Sequence, residues 1–192
     1  GLDIVAAVCD VCDRTSVAAA FNSQPRVDAL VCAAGIYNDA RFLELTVQAF
    51  RTMLDVNVVG TFIPAQEAAR RMQAGGRIVT ISSRGALGGT RFAHYVASKS
   101  AVIGLTRAMA MELRELQIAV NSVAPGFTDT PMTRSAPAEM FAAWEQLEPG
   151  GRAASPDVIA NAIAFLAAPS TQFITGQTLF VDGGKSLGGL GI

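Results

Sequence analysis

The chain is poor in the residues that build most sites. Its 192 residues include one histidine, one tryptophan, three cysteines and two tyrosines. A single histidine excludes a zinc centre made of several imidazoles, and no metal site is expected. Any Ser-His-Asp relay would have to use His94. Three cysteines exclude a disulfide framework. Cys9 and Cys12 form a C-x-x-C without a second pair, so two ordinary buried thiols in a reducing cytoplasm are expected. Of fifteen basic residues only Lys99 and Lys185 are lysine, against sixteen acidic residues. A net charge of −1 offers no basic field to nucleic acid or to an anionic membrane. The first residues do not read as a basic-then-apolar secretory leader. The longest uncharged stretch, 158–181, carries Asn161, Pro169, Ser170, Gln172 and Gln177, so it does not read as a membrane span.

What is present is apolar: 51% of residues are hydrophobic and 16% charged. Short apolar runs alternate with helical patterns, the mark of βαβ units and a parallel sheet. Strands are expected at Val5–Val8, at 29–33 (buried), at 77–81 (R-I-V-T-I), at 118–123 and at 178–181. Helices are expected from Asp13 to about Phe21, over 46–72, over about 92–116 and over 156–167. Pro64 should bend the second of these or remove one of its hydrogen bonds. Residues 127–155 read as a long loop with a helical insert. The expected fold is α/β, a doubly wound parallel sheet in one domain spanning 1–192.

Ligands of such sheets bind beyond the carboxyl ends of the strands. Here those ends carry Asp10-Val11, Ala33-Ala34-Gly35, Ser82-Ser83 and Pro125-Gly126. Small residues there let backbone approach a flat, extended ligand closely. The sharpest feature is Tyr95-Val96-Ala97-Ser98-Lys99. Positions i and i+4 share a helix face, and a cation beside a phenol lowers its pKa towards working pH. With two tyrosines and two lysines, chance gives this spacing in about 2% of such chains. Ser83, twelve residues earlier, is placed to orient a carbonyl oxygen. Asn57 falls where the long helix turns irregular, and its amide is expected to hold a water. His94 tempts a proton-shuttle reading, but adjacent helix residues point about 100° apart.

These motifs resemble the short-chain dehydrogenase/reductase superfamily. The matching stretches are D-V-C-D at 10–13, A-A-G at 33–35, D-V-N-V-V-G at 55–60, G-R-I-V-T-I-S-S at 76–83, Y-V-A-S-K at 95–99, N-S-V-A-P-G-F-T-D-T at 121–130 and V-D-G-G at 181–184. The resemblance implies a Rossmann-like sheet and hydride transfer between a nicotinamide and a secondary alcohol or ketone. It implies a tetrad of Asn57, Ser83, Tyr95 and Lys99. Tyr95 would move the hydroxyl proton, Lys99 would bind the ribose and depress the Tyr95 pKa, Ser83 would bind the substrate oxygen, and Asn57 would anchor a relay water. Asp10 and Val11 would hold the adenine, Ala33, Ala34 and Gly35 would pass under the adenosine ribose, and Pro125, Gly126, Thr128 and Thr130 would fix the carboxamide. Asp3 would bind the adenine ribose hydroxyls, which favours NAD without excluding NADP.

Two departures stand out. Cys32 occupies a position where the family usually has asparagine, and no G-x-x-x-G-x-G stands before Asp10. The resemblance therefore implies a fold lacking its first βα unit here, and the chain is expected to be the remainder of a longer protein. The competing reading is a non-catalytic remnant that acts as a subunit or binding partner. Residues 127–155 correspond to the family's substrate loop. Met132, Met140, Phe141 and Trp144 would form an apolar lid there or pack the loop onto the core, with Arg84, Leu87, Phe92 and the tail 187–192 also near the pocket. Different stretches resemble the 3-oxoacyl-carrier-protein reductases, the dihydrodiol dehydrogenases and the bacterial 3α-hydroxysteroid dehydrogenases. The substrate is left as a small-molecule alcohol or ketone. The apolar excess and the family habit both suggest a homo-oligomer, a tetramer or dimer.

Overall fold

The computed structural model describes residues 4–22 and 24–188. In chain order its principal elements are α1 (Arg14–Phe21), β1 (Ala29–Cys32), α2 (Val47–Leu54), α3 (Gly60–Ala69), β2 (Arg77–Ile81), α4 (Ala93–Leu113), β3 (Ala119–Pro125), α5 (Pro131–Arg134), α6 (Ala138–Gln146), α7 (Pro156–Ala167) and β4 (Thr178–Val181). The strands form one parallel sheet in the order β1-β2-β3-β4. Parallel strands put all four carboxyl ends on one side of the sheet.

Alternation along the strands builds two cores. Ile78 and Val120 join Cys32, Ala65, Ala110 and Ile118 on the face covered by α3 and α4. Val79 and Val123 join Ile159 and Leu166 on the face covered by α7. With both faces covered, β2 and β3 are buried along almost their whole length rather than at alternate positions. At the start of β2, Arg77 is buried, and among the described residues it has no acidic partner. Its guanidinium donates to the carbonyls of Gly75, of Gly76 at 2.9 Å, of Ala168 at 3.3 Å and of Pro169 at 3.0 Å, tying β2 to the end of α7.

The 46–72 region is two helices joined by a π-helical turn, Asp55–Val59. Thr46 caps the start by accepting from the amide of Ala49 at 3.1 Å. Gly60 N–H reaches back to the carbonyl of Asp55 and so widens the helix around Asn57. Pro64 lies one turn later, inside α3, and is buried there.

Three expectations fail at the amino-terminal side. Residues 5–8 form no strand, and Val5 and Val8 are exposed. Among the described residues β1 pairs only with β2, so no ladder offsets the entropy of extending 5–8. For the same reason β1 is only half buried, with Val31 exposed. Cys9 is exposed and Cys12 partly so, rather than buried. Asp3 and residues 189–192 lie outside the described residues.

Candidate active site at the carboxyl ends of the strands

Helix α4 presents His94, Ser98, Val102, Thr106 and Ala110, four residues apart, as a buried stripe against the sheet. Thr106 meets Thr80 of β2 at 2.7 Å between hydroxyl oxygens. At the end of β2, the Ser82 hydroxyl donates to the carbonyl of Lys99 at 2.8 Å. The Lys99 ammonium in turn donates to the carbonyl of Ile81 at 3.0 Å. These bonds pin the start of α4 to the strand end, with Tyr95 and Lys99 one turn apart above it. The Lys99 nitrogen lies 5.7 Å from the centroid of the Tyr95 ring. Ser83 caps the short 3₁₀ turn Arg84–Leu87, accepting from the amide of Gly85 at 3.0 Å. A β-carbon on Gly85 would lie 3.2 Å from the Ser83 hydroxyl and 3.3 Å from the Tyr95 ring. Glycine there keeps the space between the two side chains open.

Asn57 is buried, and its amide is bonded to the loop after β1 and to α4. It accepts from the amide of Ile36 at 2.8 Å and donates to the carbonyl of Ile36 at 3.1 Å and to the Ser98 hydroxyl at 3.0 Å. Both amide hydrogens are used, so the side chain clamps the loop after β1. The same clamp draws Gly35 against the site. A β-carbon there would lie 3.2 Å from the Asn57 oxygen and 3.4 Å from the Lys99 nitrogen.

Two titrations depart from the ordinary, both chiefly through burial. Lys99 is pushed down to about 8, because an ammonium loses water there. Tyr95 is pushed above the usual phenol range by burial, with hydrogen bonding to Ser83 opposing. The expected depression of Tyr95 by Lys99 is therefore not what the geometry gives. Burial is the larger of the two causes, and the Ser83 bond only partly offsets it.

The remaining predicted positions surround this centre. Asp10 is exposed and accepts from the amide of Cys12 at 2.9 Å. Val11 packs on the π turn, where a β-carbon on Gly60 would lie 2.7 Å from a Val11 methyl. Ala33 and Ala34 are exposed just past β1. Pro125 ends β3, and Gly126 passes so close to Asp182 that a β-carbon would lie 2.9 Å from its Cα. The Thr128 hydroxyl donates to the carbonyl of Gly126 at 3.1 Å, and Thr130 caps α5 in a reciprocal box with Thr133. The lid expectation divides. Phe141 and Trp144 pack on Phe127 at 5.0 and 5.7 Å between ring centroids, which anchors the loop, while Met132 and Met140 stay exposed. Leu87 and Leu187 are also exposed. His94 is fully buried and its Nε2 meets the Asn38 side-chain oxygen, away from a shuttle role.

Residues 36–40 are laced to 91–95 without any local sequence signal. Arg91 Nε donates to both carboxylate oxygens of Asp39 at 3.0 Å, and the Arg91 carbonyl accepts from Ala40 at 2.7 Å. Its partners are about fifty residues apart, and no local pattern announces them. Among the described residues no cluster of three or more His, Cys, Asp or Glu side chains is placed to hold a metal, and no helix is long and apolar enough to cross a membrane.

The nicotinamide end of a dinucleotide fits the residues present. Lys99 spends one of its three N–H groups on Ile81, and the glycine-floored backbone at Gly35 runs within reach of its ammonium. That is the donor set and clearance a ribose diol needs.

Residues 1–186 match the family described as Enoyl-(Acyl carrier protein) reductase. The chain is 36% identical over 180 residues to a 3-oxoacyl-[acyl-carrier-protein] reductase of Rickettsia felis, covering 92% of this chain and 75% of that one. It is 39% identical over 183 residues to a cis-4-hydroxycyclohexanecarboxylate dehydrogenase of Sinomonas cyclohexanicum, covering 91% and 74%. Among solved structures, a doubly substituted short-chain dehydrogenase/reductase of Serratia marcescens superposes with a TM-score of 0.86 at 38% identity, covering 93% and 75%. With its parallel sheet and its Tyr95–Lys99 pair at the strand ends, the chain belongs to the short-chain dehydrogenase/reductase superfamily.

Proposed function

We propose that this protein is an NAD(P)-dependent oxidoreductase that interconverts a secondary alcohol and a ketone, with Tyr95 as the general acid and base. The observation that carries the reading is the convergence of Ser83, Tyr95 and Lys99 at the end of β2, with glycines at 35 and 85 leaving that space open. One relative is named for reducing a 3-oxoacyl group and another for dehydrogenating a hydroxycyclohexanecarboxylate. The chemistry they share, at a secondary carbinol carbon, is what we carry to this chain.

A bound nicotinamide supplies the hydride acceptor or donor. Lys99 would hold its ribose through the two N–H groups left over from Ile81, and Ala34 and Gly35 would pass under the adenosine ribose. Asp10 and Val11 would face the adenine end, and Pro125, Gly126, Thr128 and Thr130 the carboxamide. The Ser83 hydroxyl, already accepting from Gly85, donates its own hydrogen to the substrate oxygen. Tyr95 moves the proton at that same oxygen. Because burial holds its pKa above the usual phenol range, Tyr95 keeps its proton at neutral pH. It is thereby poised as the acid for ketone reduction, and alcohol oxidation should gain at alkaline pH.

Tyr95→Phe removes the transferable proton and leaves the ring. Turnover of a panel of secondary alcohols and ketones by the full gene product should fall by about 10²–10⁴-fold. Cofactor affinity, read from nicotinamide fluorescence, should stay within a few-fold. Retained turnover would overturn the assignment.

A further inference from the structure

Besides Tyr95 the chain has a single other phenol, Tyr37, and the reaction above gives it no part. Its position is tightly specified. Asn57 holds the backbone of Ile36 from one side through two hydrogen bonds. On the other side the next three residues are laced in turn to the segment that opens α4. Asn38 meets the buried His94, Asp39 takes both carboxylate oxygens to Arg91, and Ala40 donates to the Arg91 carbonyl. Arg91 adopts a left-handed backbone, φ 72°, to present both groups. A non-glycine residue in that conformation persists where its surroundings over-determine it.

Tyr37 sits in the middle of this strap. Its ring lies 5.1 Å from the Tyr95 ring at 85°, an edge-to-face contact, and 5.8 Å from Phe92. Phe92 in turn lies 6.2 Å from Tyr95 at 80°. Two aromatic rings thus cover one side of Tyr95, and Lys99 stands over its face. We propose that Tyr37 is a positioning residue for Tyr95: its strapped ring closes one side of the catalytic ring, keeps water from it and fixes its tilt. The proposal rests on the reading of Tyr95 as the proton-transfer group.

The test isolates Tyr95 by difference. In each Tyr37 variant, the phenolate absorbance lost on adding Tyr95→Phe reports the ionisation of Tyr95. Tyr37→Phe keeps the ring, and Tyr37→Ala removes it. The charged and titratable groups facing the pair are Asp39 from the loop after β1, Ser83 and Arg91 from the segment between β2 and α4, and Lys99 from α4 itself. All of them are the same in both variants, so a difference in midpoint reports the cover. Water admitted in the alanine variant relieves the burial of the phenolate, and Tyr95 should ionise about one pH unit lower there than in the phenylalanine variant. Equal midpoints would overturn the proposal. If the alanine variant fails to fold, Tyr37→Leu should fall between the two, and a midpoint equal to that of the phenylalanine variant again overturns it. In turnover, the alanine variant should lose about ten-fold in kcat with KM within about two-fold, and phenylalanine should restore kcat. A loss confined to KM overturns the positioning role. Turnover retained in Tyr95→Phe would remove the acid–base reading and the kinetic half of this one. An unchanged titration removes this one alone.

Discussion

Lys99 should cost the fold stability at neutral pH and release that cost as pH rises. The residue is 6% exposed, and burial pushes its ammonium from 10.5 down to about 8. In the unfolded chain it titrates near its ordinary value. Below about pH 8 both states carry the proton, and the shift corresponds to a penalty of about 3 kcal/mol. Between the two values the unfolded chain binds a proton that the folded chain has lost, so stability rises with pH. From about pH 7 to about pH 9.5 the penalty shrinks by about 2 kcal/mol. Lys99→Met provides the reference, since it keeps the unbranched stem and removes the titration. The bond to Ile81 is lost at both pH values and cancels from the comparison. Tyr95 is present in both proteins, so the little its unfolded form ionises over this range cancels from the comparison. Urea unfolding of the two proteins at both pH values should show the wild type gaining about 2 kcal/mol on the variant as pH rises. A gap constant to within about half a kcal/mol would show that the ammonium is not desolvated. The variant should also lose turnover, so the cost is one that the fold carries for the site.

Two further changes probe other links. Arg77→Met leaves the carbonyls of Gly75, Gly76, Ala168 and Pro169 without their shared donor. It should cost about 2–4 kcal/mol, or about 5–10 °C in Tm by calorimetry, and a change under about 2 °C would refute the role of this fork. Lysine should recover only part, since it lacks the planar fork. Gly60→Ala would place a β-carbon 2.7 Å from a Val11 methyl while favouring the helix by about 1 kcal/mol. Thermal stability should hardly move while cofactor affinity falls about three- to ten-fold through displacement of the turn at 10–13. Unchanged affinity would dissociate that turn from the cofactor.

What could be read in the sequence follows from which forces are local. The stretch R-I-V-T-I at 77–81 and the helix from Pro156 to Ala167 appear where the pattern puts them. Each carries its own signal: burial on both faces for the strand, and a proline at the first helical position for the helix. Val5–Val8 carried an apolar run of the same kind and is not a strand, because a strand exists only through a partner, and pattern is silent on partners. The same division runs through the site. Tyr95 and Lys99 were legible because four residues on a helix fix their relation without help from elsewhere. Asn57 was located correctly in an irregular turn, but its amide goes to Ile36, twenty-one residues away. Asn38–His94 and Asp39–Arg91 span fifty-six and fifty-two residues, so they were invisible for the same reason.

The two shifted groups share a single cause, and this constrains how the site can work. Burial raises Tyr95 and lowers Lys99, so each is moved towards its neutral form, and neither shift relies on the other. A pair tuned by mutual charge would respond sharply to salt and to loss of either partner. A pair tuned by exclusion of water responds instead to whatever opens the cover. Here the cover is supplied from outside the helix, by Ser82 and Ile81 beneath Lys99, and by Tyr37 and Phe92 beside Tyr95. The i, i+4 spacing therefore brings the two reactive groups together. The segments after β1 and β2 flank the pair from outside α4 and hold it away from water, which is the largest cause of both shifts.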